Sequence, residues 1–70
     1  MQFVWKRLGN HWLQLECKVD AFVRTEPSPN GQFLWVFGRV SSYASTVAAA
    51  RDYVEAGAEY YAQFKRNPYG

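Results

Sequence analysis

The residues able to do chemistry in this chain are few. Cys17 is its only cysteine and His11 its only histidine, and nucleophilic catalysis needs a nucleophile held within reach of a base. Cys17 falls in an alternating apolar run, where a thiol stays protonated and inert, so its expected place is the core. His11 adjoins Gly9-Asn10 and reads as a solvated turn residue. The acids Glu16, Asp20, Asp52, Glu55 and Glu59 are spaced as solvent-facing residues of a strand and a helix, with no pair set for acid–base work. The glycines match neither a dinucleotide fingerprint nor a phosphate loop, and no Cys/His cluster offers four ligands to a zinc ion. The expectation is a non-enzymatic chain that needs no cofactor or metal.

What the chain has in excess is aromatic surface, at 19% of its residues. Trp12 and Phe22 occupy positions that alternation assigns to the polar face of a strand, which makes them the first candidates for contact with a partner. Trp35 joins them from a strand that is apolar on both faces, and Tyr53 and Tyr60 lie off the main apolar stripe of the C-terminal helix. Exposed aromatics of this kind are enriched at protein interfaces. A second reading uses Arg7, Lys18, Arg24 and Arg39 beside these rings, because basic and aromatic groups interleaved on a sheet bind single-stranded nucleic acid. The net charge is only +2, with eight basic and six acidic residues scattered along the chain, which favours the protein partner.

The elements that must position these residues follow from periodicity. Phe3-Val4-Trp5 is a short β-prone run, and Gly9-Asn10 suits a tight hairpin turn. From His11 to Arg24 the apolar residues fall on every second position, which predicts one long strand with one buried face. A two-residue turn at Gly9-Asn10 sets Val4 with Leu15 on one face; a slip of one residue sets Trp5 there instead. Glu26 to Gly31 holds two prolines and an Asn-Gly pair and turns the chain back. Gln32 to about Val40 is the third strand, and Ser41 to Ser45 a linker ending in the expected N-cap, Ser45. Val47, Ala50, Val54, Ala58 and Tyr61 then trace one stripe down a helix of about twenty residues, which Asn67-Pro68 stops. Arg51 and Glu55, four apart, are expected to pair on its outer face. Gly57 is expected to mark a close approach of helix to sheet. The predicted fold is α+β: a three-stranded antiparallel meander followed by one long helix packed on one sheet face.

Seventy residues make a single domain, 1–70. A chain this short hides only about 60% of the surface it exposes when unfolded, and with one cysteine it has no internal disulfide to add. Self-association is the remaining ordinary route to stability, so a homodimer is expected. The first residues lack the basic start and apolar run of a secretory signal, no stretch approaches the length of a membrane span, and the expected compartment is the cytoplasm.

The segment Phe33-Leu34-Trp35-Val36-Phe37-Gly38-Arg39-Val40, followed by Ser45-Thr46-Val47-Ala48-Ala49-Ala50-Arg51 opening an Ala-rich helix, resembles short phage and prophage accessory proteins. The resemblance covers roughly the C-terminal half and transfers no functional residue. It implies a small protein that binds and modulates a bacterial host protein or complex, a class that includes anti-CRISPR and other host-defence inhibitors. A β-β-β-α order also resembles a double-stranded-RNA-binding domain without its first helix, but this helix opens with no basic cluster.

Overall fold

The computed structural model describes residues 2–70. The architecture is α+β, as the periodicities predict, but the sheet has five strands rather than three: β1 (Trp5–Leu8), β2 (Trp12–Leu15), β3 (Ala21–Arg24), β4 (Phe33–Phe37) and β5 (Val40–Ala44), with the helix α1 (Val47–Phe64) last. The strands form an antiparallel meander in the order β1-β2-β3-β4-β5.

The expected long strand is a hairpin. Residues 16–20 reverse the chain between β2 and β3, pairing Leu13 with Val23 and Gln14 with Phe22. Opposed residues here are both odd or both even, so the apolar alternation runs through the reversal without a break in phase. Cys17 consequently lies exposed in the turn, its Sγ 3.2 Å from the Val19 carbonyl oxygen, and not in the core. A thiol reagent should label Cys17 in the folded protein within a few-fold of the rate in urea; strong protection in the native state would contradict this turn.

Turn chemistry decides one open register and corrects one strand end. Leu8 pairs with Trp12 and Trp5 with Leu15, so the β1–β2 loop has three residues, Gly9 to His11, and the slipped register is the real one. The expected third strand ends at Gly38-Arg39, where Gly38 has the positive φ of +64° that the first position of a type II′ turn requires. The expected linker is therefore β5, whose Val40 pairs with Phe37 and Ala44 with Phe33.

The N-cap is Thr46, one residue beyond Ser45: its Oγ1 accepts from the Ala49 amide at 3.0 Å. The helix buries Ala50, Val54, Gly57 and Ala58 against the sheet, with Val47 and Tyr61 half-buried on the same stripe. It ends where Lys65 turns into the left-handed region at φ 58°. The core beneath it is Leu15, Ala21, Val23, Trp35, Phe37 and Ala44. Gly57 does mark a close approach, because a Cβ there would stand 3.2 Å from the Phe37 ring and 2.9 Å from Tyr69. That contact explains a glycine that costs about 1 kcal/mol relative to alanine in a helix interior.

Residues 65–70 fold back over the sheet. The Asn67 amide donates to the Phe37 carbonyl at 2.9 Å, and the Tyr69 ring packs on Trp35 and Phe37 while its hydroxyl donates to the Tyr53 carbonyl at 2.6 Å. Burial, and secondarily the neighbouring Tyr53, raise the Tyr69 pKa above the ordinary value of 10.0. Its protonated form is thus the one that stabilises the fold. That contribution is complete below the unfolded value of about 10 and is lost as pH rises through the higher folded value. The melting temperature should fall as pH passes about 10, and should fall less steeply in Tyr69→Phe; parallel curves would remove Tyr69 from the explanation.

A candidate partner-binding face

The helix covers one face of the sheet, over β3, β4 and β5. The register determines what remains on the other. Leu8 opposes Trp12 and Trp12 opposes Arg24; Gln14 opposes Phe22, which opposes Val36; Leu34 opposes Tyr43. Side chains opposed across strands share a face, so Leu8, Trp12, Phe22, Leu34, Val36 and Tyr43 gather on the helix-free side. Tyr43 is 50% exposed and Leu8 45%. Trp12 meets Phe22 edge to face at 6.3 Å between centroids, and the Arg24 guanidinium lies 5.9 Å from the Trp12 ring centre. Leu8, Trp12, Phe22 and Val36 line a shallow depression of about 240 Å³.

The surroundings of this patch are polar. Lys6 and Glu16 pair at 3.7 Å, and His11 Nδ1 lies 2.9 Å from Glu26 Oε2. An apolar centre with polar, hydrogen-bonding groups at its margin is the anatomy of a protein interface, where the centre is depleted of charge and the rim stays wet. His11 and Cys17 lie in loops at opposite ends of the sheet, so the fold does not bring them together. Among the described residues no three His, Cys, Asp or Glu side chains are grouped to hold a metal ion, and no helix is long and apolar enough to cross a membrane.

The residues expected to meet a partner divide into three groups. Trp12 and Phe22 are on the open face. Tyr53 and Tyr60 are on α1, 49% and 36% exposed. Trp35 is 4% exposed and is a core residue, because its position on β4 points under the helix. There it stacks on Tyr53 at 5.3 Å and 12°, and its indole N–H has no hydrogen-bond partner. Leu8, Leu34 and Val36 are not in the expected set, since alternation alone does not show which strands pair, whereas Tyr43, an exposed tyrosine of the kind enriched at interfaces, reaches this face through β5.

The four cations of the nucleic-acid reading are dispersed. Arg7 is on the helix side of β1, donating to the Asn10 carbonyl at 3.4 Å, and Arg24 is on the open side of β3. Lys18 and Arg39 sit in the β2–β3 and β4–β5 turns, at the other end of the sheet. Arg51 and Glu55, expected to pair with each other, both turn to Trp5: the guanidinium lies 5.1 Å from its ring centre, and the indole N–H donates to Glu55 Oε2 at 2.7 Å. That geometry follows from the slipped β1 register, which brings Trp5 to the helix side.

No protein-family model, curated protein or solved structure matches this chain. What the chain does must therefore be argued from its own surfaces.

Proposed function

We propose that the chain is a non-enzymatic protein-binding module that docks a partner on the helix-free face of its sheet. One observation carries this reading: an aromatic and aliphatic patch of half-buried Trp12 and Phe22 with exposed Leu8 and Tyr43 lies on the sheet face that the helix does not cover, in a molecule with little core to spare. Contiguous apolar surface of this kind marks interaction sites, and tryptophan is among the residues most enriched in binding hot spots. The resemblance to phage accessory proteins extends the proposal: the partner is a bacterial host protein or defence complex, met in the host cytoplasm, which this chain inhibits or modulates.

Affinity capture from bacterial lysate, with nuclease-treated and untreated halves analysed by mass spectrometry, tests the class of partner. Retention of the same protein in both halves is the expected result. Loss of bound protein after nuclease treatment, with nucleic acid retained before it, would replace this reading by one based on Arg24 and the rings beside it. Binding that weakens steeply with salt would point the same way.

A further inference from the structure

We propose that a second copy of this chain docks on the free edge of β5, joining two sheets into one and setting the Tyr53–Tyr60 flank of one helix against that of the other. β5 is hydrogen-bonded only to β4. In an antiparallel pair closed by a two-residue turn, Val40, Ser42 and Ala44 direct their backbone groups to β4, and Ser41 and Tyr43 direct theirs outward. Neither Ser41 nor Tyr43 has another backbone partner among the described residues. This edge, Val-Ser-Ser-Tyr-Ala, is regular and carries no charge or proline. The opposite edge, β1, carries Lys6 and Arg7 in succession, the usual means of blocking edge-to-edge association.

The helix supplies the second observation. Arg51 and Glu55 face β1 through Trp5, so the other flank of α1 lies toward β5. On that flank Ala49, Tyr53, Ala56 and Tyr60 recur at helical spacing, with the two tyrosines 49% and 36% exposed. Ser42, on the helix side of β5, is exposed too, beyond the C-terminal segment, whose Tyr69 covers Trp35 and Phe37 and whose Gly70 lies beside Val40.

A second copy fits both features at once. Antiparallel pairing centred on Ser42 opposes Ser41 to the partner's Tyr43 and Ser42 to its own counterpart, and the two-fold axis makes the helices antiparallel. From β4 to its counterpart is three strand spacings, about 14 Å. That exceeds the 8–10 Å at which helices pack directly, and tyrosine side chains are long enough to fill the difference. A peptide strand alone would satisfy the edge but leave Tyr53 and Tyr60 bare. Tyr43, Tyr53 and Tyr60 are 50%, 49% and 36% exposed. At roughly 200 Å² for a full ring they offer at most about 270 Å² per copy, under half of the ~600 Å² per copy found in the smallest stable interfaces, with the β5 backbone and its serines supplying the rest.

Sedimentation equilibrium over the micromolar range is the test. The wild-type mass should approach twice the chain's 8.1 kDa. Ser42→Lys and Ser42→Glu each place like charges opposite one another at the axis. Each should fold, as judged by thermal melting, and dissociate at least tenfold more readily, and an equal mixture of the two should restore the dimer. A monomeric wild type would overturn the proposal. So would Ser42→Lys dimerising as tightly as wild type, or a mixture that remains monomeric.

Discussion

Phe37→Ala is expected to be the most destabilising single truncation in the protein. Phe37 is fully buried where β4, α1 and the C-terminal segment meet: its ring lies against Gly57, Tyr69 packs edge-on to it at 6.1 Å, and Asn67 bonds its carbonyl. Truncating a buried phenylalanine costs about 3–5 kcal/mol, the lost transfer energy plus the cavity left behind. The cavity here cannot close easily, because Gly57 has no side chain to move into it. A seventy-residue domain has a net stability of roughly 3.5–10 kcal/mol. The substitution therefore removes at least about a third of it, and the melting temperature should fall by about 15 °C or more. Urea unfolding followed by circular dichroism measures the difference directly. A cost below about 1 kcal/mol would mean that helix and sheet are not held together at this point.

The second large effect is on binding. Replacing Trp12 and Phe22 together by threonine removes both rings from the open face while retaining residues suited to strands. Neither residue belongs to the buried core, so the double variant should still melt cooperatively. Hot-spot aromatics are worth at least about 2 kcal/mol each, or roughly 30-fold in affinity. The two rings touch, so their effects overlap rather than add. The double variant should bind the partner at least ~100-fold more weakly.

How much of this was legible beforehand depends on parity. Alternation identified the inward residues Leu15, Ala21 and Val23 and the outward Trp12 and Phe22 correctly, yet gave no sign of the turn between them. A hairpin whose opposed residues are both odd or both even leaves the pattern in phase, and residues 16–20 form such a turn. Cys17 was misplaced for that reason alone. At Gly38-Arg39 the parity does change, with Phe37 opposing Val40. There the single glycine was the available signal, and the serines of β5 disguised the strand that follows.

The helix was easier to read, because Val47, Ala50, Val54, Ala58 and Tyr61 keep one period and Gly57 has a packing cause. The candidate face was half legible. Trp12 and Phe22 broke a pattern, whereas Leu8 and Val36 join them only through cross-strand pairings that one sequence does not display. Trp35 could not be assigned to a face until the register of β4 was known, and the same register buried it.

The most direct test of the open face as a docking surface is a matched capture from nuclease-treated bacterial lysate, with wild type and the Trp12→Thr/Phe22→Thr variant as baits at equal loading. The expected result is a protein retained by wild type and lost with the variant, while both baits show the same far-ultraviolet circular dichroism. Retention of the same protein by both baits would contradict the proposal that this face makes the contact.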